Sequence, residues 1–182
     1  MTRLQDTAAQ RGYKRIATEE AWAPPELIQR YLALLASGTH NDPGFESLWG
    51  FFGTSPTPRA RDLFERVQDL EARRLADMDA AGIDIQLLML TSPGVQMFDA
   101  PTACALATSS NDQLADAIRR HPDRLAGLCA FAPQAPEQAA REIERSVNTL
   151  GLKGALVNSH TQGEYMDDPK FWPIFEACEA LD

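Results

Sequence analysis

Apolar residues recur along the chain in two alternating patterns: short continuous runs, and longer stretches with helical spacing. The runs predict four strands, at residues 15–18, 83–91, 124–132 and 153–159. The stretches with one apolar face predict helices over residues 24–38, 57–82, 101–120 and 136–150, and a last helix from residue 168. Strand and helix alternate four times, which is typical of a parallel sheet with crossover helices.

This alternation predicts an α/β fold of the (β/α)8 TIM-barrel type, with only about the first four β/α units present. No P-loop and no G-x-G-x-x-G follows the first strand, so a nucleotide-binding sheet has little support. Eight units typically need about 250 residues, whereas this chain has 182. We therefore expect residues 1–182 to be the N-terminal half of a single barrel. Residues 1–13 are expected to be a loose segment, and residues 38–57 a long loop near the site.

The charge and the cysteines narrow the class of protein. A net charge of −9 argues against nucleic acid or an anionic membrane as the main partner. The three cysteines lie far apart without metal-type spacing, which indicates reduced thiols and a cytoplasmic protein. No apolar run approaches the length of a membrane span. An anionic substrate would therefore need a local cation or a metal.

Glu19 is the first candidate for chemistry, because reactive residues of barrels follow the carboxyl ends of the strands. Side chains alternate along a strand, so we expect Ala17, Glu19 and Ala21 to share one face and Glu20 to take the other. If Ala17 points into the barrel, Glu19 points into its mouth. The alternative is a solvated carboxylate just past a strand end.

Two further candidates are Thr91, at the end of the second strand, and Arg59, in the first turn of a helix. The helix dipole disfavours a cation in that turn, so Arg59 either faces an anionic ligand or is simply exposed. Thr91 has the weaker case, because β-branched residues are common at strand ends. The three histidines are scattered and do not form a metal cluster.

Several segments resemble one known family. These are "RIATEEAWA", "ADMDAAGIDIQLLMLTSPGVQ" and the region from "HPDRLAGLCAFAPQ" to "FWPIFEACE", with "SLWGFF", "TSPGVQ" and "NSHTQG" as the specific parts. They resemble the amidohydrolase-related metal-dependent decarboxylases of the aminocarboxymuconate semialdehyde and γ-resorcylate type, and most of all the carboxyvanillate-type members. The resemblance runs from about residue 12 to residue 182.

The resemblance implies a function for each candidate. Many relatives carry a His-x-His or Glu-x-His pair on the first strand, and here the pair is Glu19 and Ala21. Glu19 would be a metal ligand, and Ala21 would leave a coordination position open for substrate. The implied reaction is non-oxidative decarboxylation of a hydroxylated aromatic carboxylate, with Mn²⁺, or alternatively Zn²⁺, as cofactor. Arg59 and Thr91 would contact the substrate, Arg59 at a carboxylate.

The resemblance also places parts of the site outside this sequence. The remaining metal ligands and the proton-handling histidine are expected beyond residue 182, so no catalytic residue is assigned within the chain, and the chain alone is expected to be inactive. We expect a homo-oligomer, either a dimer or a tetramer, without nucleic acid or membrane partners. Two alternatives stay open: a metal-dependent lactone or amide hydrolase of the same superfamily, and a non-catalytic half-barrel.

Overall fold

The computed structural model describes residues 6–40 and 42–181, with the backbone alone for Thr54. Its helices are α1 (Ala8–Arg11), α2 (Pro25–Ser37), α3 (Pro43–Phe45), α4 (Phe51–Thr54), α5 (Pro58–Gln68), α6 (Ala72–Ala81), α7 (Ala100–Arg120), α8 (Pro136–Asn148) and α9 (Trp172–Leu181). Its strands are β1 (Ile16–Trp22), β2 (Ile85–Leu90), β3 (Leu125–Gly127), β4 (His160–Thr161) and β5 (Glu164–Tyr165). A π-helical turn at Glu46–Gly50 joins α3 to α4, and a 3-10 turn at Pro169–Phe171 leads into α9.

The sheet has the predicted parallel topology. Strands β1, β2 and β3 are neighbours in chain order, and all pair in parallel. The third predicted strand is reduced to Leu125–Gly127, and the fourth to a single parallel bridge between Cys129 and Ala155. The antiparallel hairpin β4–β5 was not predicted. The architecture is that of a partial (β/α) barrel.

Helices cover one face of this sheet, and the described residues leave the other face largely open. Leu88 and Leu90 of β2 are buried in the core, whereas the alternating residues Ile85 and Leu87 are only half-buried. On β1, Ile16 is 54% exposed. Because alternate residues of a strand point to opposite faces, the exposed positions mark the face that a closed barrel would enclose.

The predicted long helix over residues 57–82 is wrong in one respect: it is two helices, α5 and α6. The break lies at Asp69, whose backbone is extended (φ −84°, ψ 125°). Its side chain accepts from the amides of Glu71 (2.9 Å) and Arg74 (3.1 Å). Aspartate competes in this way with helical backbone hydrogen bonds, so α5 ends there and α6 starts afresh.

Two segments predicted without secondary structure carry helix. Within residues 6–13, α1 is held by a capping box between Thr7 and Gln10, and Arg11 forms an ion pair with Asp84; residues 1–5 lie outside the described residues. Much of the predicted loop over residues 38–57 is helical, from α3 through the π-helical turn to α4. Pro43 at a helix start, capped by the preceding aspartate, is the local cause. No helix among the described residues is long and apolar enough to span a membrane.

The close packing of α7 against β3 gives a prediction. A Cβ at Gly127 would lie 2.6 Å from Cδ2 and 3.0 Å from Cγ of Leu114, which is 1% exposed, and 3.0 Å from Cδ1 of Ile118. We expect Gly127→Ala to lower the free energy of unfolding by about 1–3 kcal/mol because it overpacks this contact. Urea denaturation measures the change. In a double-mutant cycle, Leu114→Ala should make room for the new methyl, and strictly additive effects would contradict the packing argument.

Candidate active site

The strand that carries the first candidate contains a β-bulge. Ala17 pairs with Gln86 and Glu20 pairs with Leu88, so two residues of β1, one of them Glu19, oppose a single residue of β2. Because Gln86 and Leu88 lie on the same face of β2, Ala17 and Glu20 share a face of β1. The predicted strict alternation placed Ala17 and Glu20 on opposite faces of the strand, and it is therefore wrong at this point.

The bulge places Glu19 on the open face of the sheet. Glu20 lies on the face that carries the core, and the amide of Gln86 donates to its carboxylate (3.1 Å). The residues on either side of Glu20 alternate with it, so Glu19 and Ala21 share the open face, and both are exposed. Within residues 6–40 and 42–181, the Glu19 carboxylate has no hydrogen bond or ion pair. It is therefore available as a ligand.

A hard divalent cation would accept this carboxylate as one ligand but not as the whole set. Carboxylate oxygen suits Mg²⁺, Ca²⁺ and Mn²⁺, and the unpaired Glu19 fits that donor type. Among the described residues, however, no group of three or more His, Cys, Asp or Glu side chains could hold a metal ion. A complete coordination sphere would need ligands from elsewhere.

An apolar cavity of about 180 Å³ lies at the carboxyl ends of β1 and β2. Ala21 and Thr91 line it from the strands, and the rings of Trp49, Phe52 and Phe64 line it from the helical segments. Most of its remaining wall is aliphatic, so it offers an aromatic ring apolar contact with little competition from polar groups. Glu19 is two residues from Ala21 on the same strand face.

The aromatic wall of this cavity is fixed from behind. The indole N–H of Trp49 donates to the carbonyl of Ser92 (3.0 Å), just beyond β2. Its ring lies 4.8 Å from that of Tyr31, which is fully buried and donates from its hydroxyl to the carbonyl of Gly94. The wall is therefore attached both to α2 and to the loop that follows the second strand.

Thr91 is positioned by its backbone. Its amide donates to the carbonyl of Trp22 (2.8 Å), and its carbonyl accepts from the amide of Gly94 (2.8 Å). The residue is half-buried. Its hydroxyl has no hydrogen-bond partner in the described part of the chain, so it is free to bond a ligand in the cavity.

Arg59 lies farther out and does not line the cavity. It is exposed in the first turn of α5, and it forms no hydrogen bond or ion pair with the described residues. Leu63, one helical turn later on the same face, does line the cavity. Thr91 thus lines the cavity, whereas Glu19 lies two residues before the cavity-lining Ala21 and Arg59 one helical turn before the cavity-lining Leu63.

The histidine that follows the fourth predicted strand belongs to a different cavity. Nε2 of His160 lies 3.4 Å from a carboxylate oxygen of Asp42, and both residues line a space of about 440 Å³ together with His40 and Gln96. None of its lining residues lines the apolar cavity beside Ala21 and Thr91. His160 does not line the apolar cavity itself, but it lines an adjoining space of about 240 Å³ that shares Leu48 with that cavity.

One group near the site was missed in the sequence: the polar residues behind β1. Gln86 is 9% exposed and contacts Glu20, and Arg74 is 8% exposed on α6. A signal for them existed. Gln86 interrupts the otherwise apolar run "IQLLML", and a polar residue buried in a strand requires a hydrogen-bond partner.

Comparison with known proteins identifies relatives along nearly the whole chain. The model of an amidohydrolase family matches residues 39–182. A γ-resorcylate decarboxylase of Rhizobium radiobacter is 38% identical over 175 residues, covering 92% of this chain and 47% of that protein. A γ-resorcylate decarboxylase of Polaromonas sp. is 38% identical over 144 residues, covering 75% of this chain and 44% of that protein.

Solved structures agree in fold. The 5-carboxyvanillate decarboxylase of Novosphingobium aromaticivorans, complexed with manganese and 4-hydroxy-3-methoxy-5-nitrobenzoic acid, superposes with a TM-score of 0.95 at 52% identity. It covers 100% of this chain, which in turn covers 52% of that chain. The 5-carboxyvanillate decarboxylase of Sphingomonas paucimobilis superposes with a TM-score of 0.78 at 42% identity, covering 92% of this chain and 49% of that chain. The chain thus spans about half the length of the relatives it matches.

The buried tyrosine behind the cavity gives a pH-dependent prediction. Burial raises the pKa of Tyr31 well above 10.0, so the folded state holds its proton more tightly than the unfolded state does. The protonated Tyr31 phenol therefore contributes its full stabilisation to the folded state below pH 10, and this stabilisation is lost as the pH rises toward the pKa in the folded state. We expect Tyr31→Phe to remove this part of the alkaline loss of stability.

Tyrosinate absorbance measures the effect directly. The chain has three tyrosines, and Tyr13 and Tyr165 are 57% and 65% exposed. The absorbance of the wild type minus that of Tyr31→Phe isolates the Tyr31 phenol, which should lose its proton only on alkaline unfolding. Ionisation of Tyr31 at pH 10.0 while the protein is still folded would contradict its burial.

Proposed function

This chain belongs to the amidohydrolase family, and from that membership we propose that it forms part of a metal-dependent decarboxylase acting on a hydroxylated aromatic carboxylate of the 5-carboxyvanillate type. The observation that carries the proposal is the unpaired Glu19 carboxylate on the open sheet face, two residues from an aromatic-lined cavity. Support comes from the relatives, which are aromatic carboxylate decarboxylases. We further propose a homo-oligomer.

The proposed cofactor is Mn²⁺, with Zn²⁺ as the alternative, because a matching structure was solved with bound manganese. When bound, such a cation supplies a Lewis acid that can polarise the oxygens of a phenol and its neighbouring carboxylate. Glu19 would hold it through a carboxylate oxygen. Ala21, whose side chain is a single methyl on the same face, leaves space beside Glu19 for a substrate oxygen.

The other residues of the chain would bind and orient the substrate. The apolar cavity accepts the ring and excludes water from its faces, and the free hydroxyl of Thr91 can donate to a substrate oxygen. Arg59 can pair with a carboxylate at the approach, where a charge-assisted hydrogen bond is strongest. In the reaction, a proton adds to the ring carbon bearing the carboxylate. The bond to that carboxylate then breaks, and its electron pair restores the aromatic ring as carbon dioxide leaves.

The first experiment tests metal and reaction together in the full protein that carries this chain. With Mn²⁺ and 5-carboxyvanillate, we expect release of carbon dioxide with formation of vanillate. Glu19→Gln should lose bound manganese and activity, because the amide replaces an anionic ligand. Manganese content by elemental analysis and product formation by chromatography are the measurements.

A surface carboxylate provides the matched control for Glu19→Gln. Glu26→Gln makes the same chemical change at an exposed residue whose one ion-pair partner among the described residues is Arg30, and it should keep both metal and activity. Manganese at the wild-type level in Glu19→Gln would refute the ligand assignment. Hydrolysis of a lactone or amide without carbon dioxide release would favour the hydrolase alternative.

A second prediction concerns Arg59. Loss of a charge-assisted hydrogen bond costs about 1.5–3 kcal/mol, so Arg59→Ala should raise KM for a carboxylated substrate by about 10- to 100-fold while kcat changes little. Steady-state kinetics measure both constants. The control is Arg61→Ala, since Arg61 is also exposed in the first turns of α5 but donates to the carbonyl of Pro56. A KM for Arg59→Ala equal to that of the control would remove Arg59 from the site.

A further inference from the structure

A buried cation lies directly behind the strand that carries Glu19. Arg74 of α6 is 8% exposed, and its guanidinium donates to four acceptors. These are the carbonyls of Asp69 (2.7 Å), Ala21 (3.1 Å) and Arg66 (3.3 Å) and the side-chain oxygen of Gln86 (3.1 Å). None of the four is a carboxylate, so Arg74 joins three backbone segments rather than forming a simple ion pair.

The chemistry of the groups fixes the direction of this network. A guanidinium can only donate, so the amide of Gln86 must turn its oxygen toward Arg74. Its NH₂ group then faces away from Arg74, and it donates to Oε2 of Glu20 (3.1 Å). The buried charge thereby orients one amide, and that amide orients the carboxylate next to Glu19.

Arg74 also holds the backbone of the same strand. The carbonyl of Trp22 accepts from the amide of Thr91, the residue that follows β2, so the preceding carbonyl, that of Ala21, points away from β2. Arg74 supplies the donor for that carbonyl. The two residues after Glu19 are thus tied to one guanidinium, Glu20 through its side chain and Ala21 through its backbone.

The bulge makes this attachment important. At a bulge two residues face one partner, and the regular ladder no longer sets the direction of the extra residue. We infer that Arg74, acting through Gln86, is a positioning residue for Glu19: it fixes the strand immediately after the bulge, so that the Glu19 carboxylate stays on the open face in one orientation. This inference rests on the proposed function, in which Glu19 binds the metal.

A merely structural role and a positioning role predict different results. If the network only stabilises the fold, disrupting it should lower the unfolding temperature and leave metal affinity of the folded protein unchanged. If it positions Glu19, folded protein should bind metal more weakly. Outer groups that orient metal ligands typically contribute about 10- to 100-fold to metal affinity.

The test uses Gln86→Met in the full protein that carries this chain. Methionine keeps the length and packing of the side chain and removes both amide hydrogen bonds. We expect the Kd for Mn²⁺, measured by titration with detection of free Mn²⁺ by electron paramagnetic resonance, to rise about 10- to 100-fold. At saturating Mn²⁺, kcat should stay below the wild-type value. Circular dichroism confirms that the folded state is compared.

The matched control is Gln68→Met. Within the part of the chain that the structure describes, the amide of Gln68 donates to the carbonyl of Phe64 in its own helix and to no other group, so the same substitution there should leave Mn²⁺ affinity unchanged. A second variant, Gln86→Glu, tests the same inference if Gln86→Met fails to fold. It keeps an acceptor for Arg74 but places a carboxylate next to the carboxylate of Glu20. It should weaken Mn²⁺ binding as Gln86→Met does.

The outcomes separate this inference from the proposed function. Wild-type Mn²⁺ affinity in folded Gln86→Met and Gln86→Glu, with metal lost in Glu19→Gln, would overturn the positioning role alone. Equal weakening in Gln68→Met would also overturn it, because the effect would then be general. Retained metal in Glu19→Gln would instead overturn the proposed function. Weakening at position 86 but not at position 68 supports the inference.

Discussion

The burial of the Arg74 guanidinium is the constraint on which the site region depends. A buried charge is costly unless its donors are satisfied, and here all of its acceptors come from the elements that must meet behind the site. They are the end of α5, the break before α6, and the strands β1 and β2. In the arrangement that the structure shows, each of these elements supplies one acceptor to the cation. The break at Asp69 is part of that arrangement, since Asp69 supplies both the carbonyl for Arg74 and the cap for its helix.

Local patterns predicted most of the helices because the information for them is local. Helix α2 starts at a proline and ends at Gly38 in the left-handed conformation, as its sequence indicates, and α7 and α8 follow their apolar stripes closely. The strands were less predictable. The run over residues 153–159 forms one isolated bridge, at Ala155, with backbone hydrogen bonds to Gly127 and Cys129, rather than a full strand, because strand pairing depends on a partner and not on the run itself.

The site was predictable in part for the same reason. The position of Glu19 after a buried run suggested a role, and the resemblance gave that role a chemistry. The sheet face onto which the Glu20 side chain points could not be predicted. Strict alternation assumes an unbroken ladder of hydrogen bonds, and the bulge at Glu19 breaks that ladder. The bulge results from the register in which β1 pairs with β2, and the sequence of β1 alone does not determine that register. The same holds for Arg74, because its hydrogen bond to the carbonyl of Ala21 joins residues 53 positions apart.

Electrostatics decides how an anion could approach a protein with a net charge of −9. The arginines of α5 and α6 nearest the cavity already have partners. Arg66 and Arg73 form ion pairs with aspartates and a glutamate of the two helices, and Arg74 is buried. Arg59 differs: within the described residues its guanidinium has no partner, although it stands in a first helical turn where the dipole disfavours a cation. In the proposed function, an anionic ligand would offset this unfavourable position, one helical turn from the cavity wall. A carboxylated aromatic would satisfy both the cavity and the cation, whereas a neutral ring would satisfy only the cavity.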